Sequence, residues 1–211
     1  MLLKKIYRRI FPTYEFLLEK IISDSKSVLD VGCGYPSPIR GFSKKFYSVG
    51  VDVFSPSIEK SRADGIHNKY VQSDVLDIDK KFTPGSFECV LASDLIEHLT
   101  KEKGYELLKK MEAIASKKVI IFTPNGFVPQ GEHDNNPWQV HLSGWSVDEM
   151  KNLGYEVIGV NGWKKLRGEY SLIKLKPKKL WQIISDLTQV ITKKHPRKAF
   201  QILCLKNVDN N

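Results

Sequence analysis

The chain has 211 residues, of which 41% are hydrophobic and 27% charged, so its composition excludes a disordered chain and is typical of one soluble globular domain. Its net charge of +9 is local, because residues 1–20 carry +3 and residues 176–198 carry +6. The neutral remainder excludes a generic polyanion-binding surface, and we therefore expect no nucleic-acid partner.

The cysteines and the hydropathy pattern predict a cellular location. Three widely spaced cysteines fit neither a disulfide framework nor a zinc site. No stretch is apolar and long enough for a signal sequence or a membrane span. We therefore expect a cytoplasmic protein, with peripheral attachment to the inner membrane surface left open.

The stretch from Val28 to Gly34, VLDVGCG, predicts a buried parallel strand that ends in a glycine loop. Gly32 and Gly34 tolerate positive φ and let a ligand lie against bare backbone, while Asp30 places a carboxylate near the end of the strand. Ser37 followed by Pro38 predicts an N-cap and the first position of a helix. Strand, glycine loop and helix in this order form the nucleotide-binding half of a doubly wound fold.

Polar residues also follow the next predicted strands. Residues 47–53 form a second strand that contains Asp52, eighteen residues after Gly34, and residues 69–72 form a third that precedes Asp74. Residues 87–92 form a fourth that precedes Ser93. Because ligands of such sheets bind at the carboxyl ends of the strands, we expect these side chains to converge on one ligand.

The remaining elements complete an α/β fold. The pattern predicts a helix at 102–116, strands at 118–123, 155–160 and 199–206, and a short helix that begins with a capping box at Ser146 and Glu149. These elements predict a doubly wound, seven-stranded, mostly parallel sheet with helices on both faces. We divide this single domain (1–211) into an N-terminal helical cap (1–26), a cofactor-binding half (27–124) and an acceptor-side half (125–211).

Two basic segments have apolar residues at helical spacing. In residues 1–20, a first helix precedes Pro12 and a second follows the N-cap Thr13. We favour packing against an edge of the sheet, and the alternative is a surface that lies on a membrane or helps to close the active site. In residues 176–194, six apolar residues form one face bounded by lysines. Here too we favour an edge helix that packs its apolar face on the sheet, with a membrane surface formed by 176–198 as the alternative.

The long segment 124–145 has no usable periodicity but is rich in aromatic residues and histidines, which favours a functional loop. Phe127, Trp138 and Trp145 are candidate walls of an acceptor pocket, although Trp145 could instead fill the core. His133 and His141 in this loop, and His98 after the fourth strand, are candidate general bases. Each could instead stabilise a loop. We predict no metal site, because the suitable ligands of this loop (Glu132, His133, Asp134 and His141) include none from a strand.

With these motifs in view, the chain resembles the class I S-adenosylmethionine-dependent methyltransferases over residues 27–160, and to about 206 with the closing strands. The matching motifs are VLDVGCG, VGVD, SDVLDI and FECVLASDLIEHL. The subgroup it resembles most methylates small molecules, including quinones, sugars and lipids. The resemblance implies an antiparallel last strand between the fifth and sixth.

The resemblance also implies a role for each matching residue. Gly32 and Gly34 would let the methionine part of the cofactor approach the backbone, with Asp30 near its ammonium group. Asp52 would hold the ribose hydroxyls. The remaining cofactor contacts would be Asp74 at the adenine amino group, the Val75 amide at the adenine ring, and Ala92 and Ser93 at the methionine end.

Three other functions are alternatives to a methyltransferase. An NAD-dependent oxidoreductase would need a third glycine near position 37 and would leave Asp74 without a task. An aminopropyl transferase would need a more acidic pocket, and a non-catalytic nucleotide-binding module would keep the fold alone. We therefore predict a methyltransferase that transfers to oxygen on a small or lipid-linked acceptor, such as a sugar or a quinone-like ring. The sequence does not predict the oligomeric state.

Overall fold

The computed structural model describes residues 12–132 and 136–208. Within these ranges, seven strands alternate with five α-helices and several short 3₁₀ turns. The strands are β1 (Ser27–Val31), β2 (Tyr47–Asp52), β3 (Lys69–Gln72), β4 (Phe87–Ser93), β5 (Ala115–Pro124), β6 (Glu156–Trp163) and β7 (Ala199–Asn207). The helices are α1 (Tyr14–Ile22), α2 (Ser55–Ala63), α3 (Lys101–Ile114), α4 (Val147–Asn152) and α5 (Lys178–Thr192).

The strands form one sheet in the order β3-β2-β1-β4-β5-β7-β6. The β1–β2, β1–β4, β2–β3 and β4–β5 pairs are parallel, and β7 runs antiparallel to both β5 and β6. This confirms the predicted seven-stranded sheet and the place of its antiparallel last strand. The carboxyl ends of β1, β2 and β4 therefore lie side by side, as a ligand site at this edge requires.

Two apolar clusters cover the two faces of the sheet. On one face, α3 packs against β4 and β5, and α4 packs against β6. On the other face, α1 buries Tyr14, Leu17, Leu18 and Ile22, and the Tyr14 ring stacks on Phe122 of β5 with 3.7 Å between ring centroids. The second N-terminal helix therefore packs on a face of the sheet and not against the edge that the sequence favoured. The first predicted helix lies within residues 1–11, outside the described residues.

The prediction of a helix that begins at Ser37 and Pro38 is wrong. Residues 37–45 form successive turns instead, with hydrogen bonds from the amides of Arg40, Phe42 and Lys45 to the carbonyl oxygens three residues earlier. The Ser37 hydroxyl does not cap a helix but donates to the Asp30 carboxylate at 2.6 Å. Ile39 and Phe42 from these turns still cover the sheet face beside α1, so burial of this apolar pair does not require a helix.

Helix α5 packs with the opposite face from the one predicted. Its buried residues are Ser185, Gln189 and Thr192, whereas its apolar residues face outward. The prediction that this helix packs its apolar face on the sheet is therefore wrong. Among the described residues, every helix is too short or too polar to cross a membrane.

Candidate functional site

The glycine loop follows β1 with the backbone that the sequence predicted. Gly32 and Gly34 have φ values of +66° and +53°, which a residue with a side chain rarely adopts. A Cβ at Gly32 would lie 2.6 Å from the Leu95 side chain. The loop therefore presents bare backbone next to the ends of β1 and β4, where a ligand can approach closely.

Asp52 at the end of β2 holds this loop in place. One of its carboxylate oxygens accepts from the Gly34 amide and the other from the Phe54 amide, each at 2.8 Å. Burial raises the pKa of Asp52, and the two amide hydrogen bonds oppose that effect. Each oxygen keeps a lone pair, so Asp52 can still accept from a diol. The ribose role of Asp52 stays a prediction.

Asp30 is completely buried rather than placed at the rim of the sheet. One carboxylate oxygen accepts from the Ser37 hydroxyl at 2.6 Å and lies 2.9 Å from Nε2 of buried His67. The other oxygen, Oδ1, has no hydrogen-bond partner among the described residues. An unpartnered buried carboxylate oxygen fits a cationic ligand group such as an ammonium. His67 was not among the predicted site residues, because a lone histidine before a short strand gives no signal of a partner 37 residues away.

The other predicted cofactor residues lie at the ends of the adjoining strands. Asp74 is exposed after β3 and caps the 3₁₀ turn that starts at Val75, accepting from the Leu76 amide at 2.9 Å. Ala92 is buried at the end of β4. The Ser93 hydroxyl accepts from Tyr14 at 3.0 Å, which links α1 to the site. These contacts agree with the predicted placement, and the cofactor roles of all four residues stay predictions.

Beyond β4, four titratable side chains converge. The Glu97 carboxylate is buried, with Oε2 accepting from Thr123 at 2.9 Å and Oε1 without a partner among the described residues. The rings of His98 and His141 lie 4.8 Å apart. Asp94 accepts from the Gln201 amide at 2.8 Å. The position of His98 directly after β4 was evident from the sequence. The fold of the 124–145 loop brings His141 beside it.

Hydrogen bonds to carbonyl oxygens fix the tautomers of both histidines. Nδ1 of His98 lies 3.2 Å from the Val140 oxygen, and Nδ1 of His141 lies 2.6 Å from the Val128 oxygen. Because a carbonyl oxygen only accepts, each Nδ1 must carry the proton and the neutral ring keeps its lone pair on Nε2. Each ring is therefore prepared to accept a proton or to bind a cation through Nε2.

Burial shifts the pKa values of these four side chains towards their uncharged forms. Burial lowers the pKa of His98 to about 4 and also lowers that of His141. Desolvation by the surrounding protein raises the pKa of Asp94 to about 7. The Asp94 side chain also lines a cavity. Burial and the nearby Asp94 raise the pKa of Glu97 well above its usual range. Neutral imidazoles therefore stand beside carboxyl groups that hold protons more tightly than usual.

These side chains line a cavity of about 290 Å³ at the carboxyl ends of β4 and β5. Further lining comes from the 124–145 loop and from the segment before α5, including Tyr170 and Ser171. The predicted walls Phe127 and Trp138 are exposed and do not belong to this lining, so their substrate contacts stay predictions. The cavity walls are thus the histidines and carboxyl groups rather than the predicted aromatic rings.

Trp145 is not a pocket wall, and that prediction is wrong. Its side chain is completely buried, and its Nε1 donates to the Ile96 carbonyl at 3.2 Å and to the Ser143 hydroxyl at 3.1 Å. Its ring packs against Gly104 of α3. The alternative that Trp145 fills the core is confirmed.

The 124–145 loop is closed at its base, which positions His141. The Gly126 amide donates to the Trp145 carbonyl at 2.8 Å, and the His141 amide donates to the Gln130 carbonyl at 3.1 Å. The amides of Leu142 and Ser143 both donate to the Glu97 carbonyl. His133, the third candidate base, lies outside the described residues.

Glu97, His98 and His141 could hold a metal ion, because their ligand atoms all lie within 4.8 Å of one another. The prediction of no metal site considered a different set of ligands, Glu132, His133, Asp134 and His141, which shares only His141 with this group. Asp94 and Glu97 were not among the predicted site residues, although both belong to the SDLIEHL stretch of the fourth matching motif. The signal would have been two acids and a histidine in five residues after a buried strand.

Known proteins share both sequence and fold features with this chain. Residues 28–118 match a family model described as a methyltransferase domain. A solved S-adenosylmethionine-dependent methyltransferase from Archaeoglobus fulgidus superposes with a TM-score of 0.57 and 16% identity, covering 97% of this chain and 99% of that one. The fold is that of the methyltransferases.

Other relatives agree with this assignment. An uncharacterized methyltransferase of Bacillus velezensis is 27% identical over 162 residues, which cover 74% of this chain and 75% of the relative. The magnesium protoporphyrin IX methyltransferase of Synechocystis PCC 6803, solved with bound S-adenosylmethionine, superposes with a TM-score of 0.52 and 11% identity, covering 97% of this chain and 79% of that one. The domain match and the relative from Bacillus velezensis support a methyltransferase.

Proposed function

We propose that this chain is an S-adenosylmethionine-dependent methyltransferase that methylates a hydroxyl group on a small or lipid-linked acceptor, such as a sugar or a quinone-like ring. The observation that carries the proposal is the cavity at the carboxyl ends of β4 and β5, where two neutral imidazoles keep Nε2 lone pairs next to Asp94 and Glu97. A hydroxyl acceptor needs such a base, since its oxygen becomes a better nucleophile as its proton is removed.

The residues of this chain divide the work between cofactor and acceptor. When bound, S-adenosylmethionine supplies an electrophilic methyl group on a sulfonium centre, so the protein mainly orients the acceptor and excludes water. Gly32, Gly34, Asp30 and Asp52 would hold the cofactor. In the acceptor cavity, His98 or His141 would take the hydroxyl proton through its Nε2, because Nδ1 of each ring is held by a backbone carbonyl oxygen.

Glu97 supports a second route at the same place. Its unpartnered buried Oε1 and the two histidine Nε2 atoms form a set of ligands that suits a divalent cation. Such a cation would polarise the acceptor oxygen in place of a base. The two routes differ in a simple measurement: chelator treatment abolishes methyl transfer if a cation is used and leaves it unchanged if a histidine acts as the base.

Cofactor identity is tested by calorimetric titration of the protein with S-adenosylmethionine and with NAD. We expect heat with the former only. Asp52→Asn should weaken binding by about tenfold or more, because a charge-assisted hydrogen bond contributes about 1.5–3 kcal/mol. Asp148→Ala is the matched control, since the Asp148 carboxylate pairs with Arg197 on the exposed surface. Binding of NAD, or equal affinities in the two variants, would refute the assignment.

Oxygen as the acceptor atom is tested with S-adenosylmethionine that carries a labelled methyl group. The protein is incubated with a small-molecule and lipid extract, and the labelled product is treated with alkali. A methyl ether keeps the label, whereas a methyl ester releases it as methanol. Label on nitrogen or carbon in the purified product would contradict O-methylation and leave the methyltransferase proposal intact.

A further inference from the structure

Helix α5 exposes a continuous apolar face. Its outward residues follow the spacing of one helical stripe, and each is about half exposed: Leu180 (50%), Ile183 (58%), Leu187 (54%), Val190 (48%) and Ile191 (57%). The segment before the helix adds exposed Leu172 and Leu175. A contiguous apolar surface of this kind marks a binding surface rather than ordinary scatter of exposed residues.

The opposite, polar face of α5 is fixed against β6. The Gln189 side chain donates to the Gly159 carbonyl and accepts from the Gly162 amide, both at 2.9 Å. The Trp163 amide donates to the Thr188 hydroxyl at 2.9 Å. The inward orientation is thus specified by hydrogen bonds to the backbone of an edge strand.

Two glycines make the same orientation sterically specific. A Cβ at Gly159 would lie 2.1 Å from the Thr192 carbonyl oxygen, and one at Gly162 would lie 2.2 Å from the Ser185 carbonyl oxygen. The helix backbone therefore rests directly on the strand, where leucine or isoleucine side chains have no room. Rotation of α5 to bury its apolar face would break these contacts, so the outward face is a property of the fold.

The charges around this face identify its partner. Residues 176–198 carry seven basic residues and one acidic residue, Asp186. Lys178 and Lys179 begin the helix, Lys193 and Lys194 follow it, and all four are exposed. A second copy packed on this face would set lysine against lysine in either orientation, because both ends are basic. An anionic lipid surface satisfies the lysines and the apolar stripe together.

We propose that α5 docks this protein on anionic membranes by inserting its apolar face at the level of the lipid headgroups, with the flanking lysines on the phosphates. The helix would lie in the plane of the membrane, as expected for an amphipathic helix that does not span it. No other described part of the protein is needed for this contact.

The docked helix is connected to the acceptor cavity through hydrogen bonds. Arg167 donates to the Ser185 hydroxyl of α5 at 3.2 Å and to the Ser171 carbonyl at 2.9 Å. The Ser171 hydroxyl donates to Gln201 at 3.1 Å, and Gln201 donates to Asp94. Since Ser171, Gln201 and Asp94 line the cavity, its mouth would lie near the membrane. If the proposed function also holds, on which this step rests, the acceptor is lipid-linked.

Vesicle flotation tests the docking without any methyl transfer. The wild-type protein, without cofactor, should float with phosphatidylglycerol-containing vesicles at low salt, weakly with pure phosphatidylcholine vesicles, and less at high salt. Lys178→Glu/Lys179→Glu should weaken the partition by at least about tenfold. Lys103→Glu/Lys109→Glu, on the exposed side of α3, is the matched charge control and should lose far less.

The apolar stripe is tested by Ile183→Ser/Leu187→Ser, which should also weaken flotation by about tenfold or more because less apolar area enters the membrane. Tyr47→Ser is its control, since Tyr47 is 43% exposed at the start of β2. Calorimetry with S-adenosylmethionine on the same variants should show unchanged cofactor affinity. A failure of cofactor binding therefore leaves the docking result valid.

Three results would overturn the proposal. The first is a wild-type protein that does not float with anionic vesicles at low salt, and the second is a loss of flotation in the control variants as large as in the α5 variants. The third is a dimer in light scattering that becomes monomeric in Ile183→Ser/Leu187→Ser while neither protein binds vesicles. That third result would assign the face to another copy of the chain.

Discussion

Gly104→Ala tests the packing that moved Trp145 from the pocket to the core. Gly104 lies inside α3, where alanine is favoured over glycine by about 1 kcal/mol. A Cβ at this position, however, would lie 2.3 Å from Cζ2 and 3.0 Å from Cη2 of Trp145. Carbon atoms pack best about 3.5–4.0 Å apart, so one of the two elements must move by about 1 Å.

The indole ring cannot yield easily, because two hydrogen bonds from its Nε1 hold it to Ile96 and Ser143. Overpacking of this kind costs about 1–3 kcal/mol or more, which exceeds the gain in helix propensity. We therefore expect Gly104→Ala to lower the free energy of unfolding by about 1–2 kcal/mol. In a chain of this length that corresponds to a fall in melting temperature of roughly 2–8 °C.

Urea unfolding of the single and double variants measures the effect. Trp145→Phe should cost less in the Gly104→Ala background than in the wild type, with a coupling energy of about 1 kcal/mol. Gly41→Ala is the control, because a Cβ there meets no atom within 4 Å. A Gly104→Ala protein as stable as the wild type, or more stable, would refute the placement of Trp145.

Two further predictions concern buried titratable groups. The pKa of His98 falls from 6.5 to about 4 on folding, so the unfolded chain binds more protons in that range and stability is lost as the pH falls from 6.5 towards 4. Compared with His98→Gln in urea unfolding across this range, the wild type should lose more stability, by up to roughly 3 kcal/mol, and equal losses would contradict the assignment. His67→Ala leaves the buried Asp30 carboxylate without its imidazole partner and should destabilise the protein by about 3 kcal/mol, whereas His195→Ala at an exposed site should have little effect. A loss no larger than in that control would show that the Asp30–His67 contact does not stabilise the fold.

Local patterns determined most of the sheet. The strand residues of VLDVGCG are apolar apart from Asp30, and the positive φ values at Gly32 and Gly34 follow from the residue type. The capping box at Ser146 and Glu149 formed as predicted, because both of its hydrogen bonds lie within four residues. Where the physical cause is local, the sequence is sufficient.

Local patterns failed where another part of the chain supplied the partner. Ser37 and Pro38 have the chemistry of a helix start, but the Ser37 hydroxyl bonds the Asp30 carboxylate across the sheet end. The lysine-bounded apolar stripe of α5 was expected to pack on the sheet. Two glycines and a glutamine partner on β6 reversed the helix, since hydrogen bonds and close backbone contact fixed its polar face instead.

By itself, the sequence determined the fold class, the glycine loop and the acids at the strand ends, because each depends on neighbours along the chain. Only the tertiary structure decided that His141 returns to His98 and Glu97, that Trp145 lies in the core, and that Asp30 pairs with His67. Each of these contacts joins residues at least 37 positions apart in the chain. Burial in the folded chain gives these side chains their chemistry.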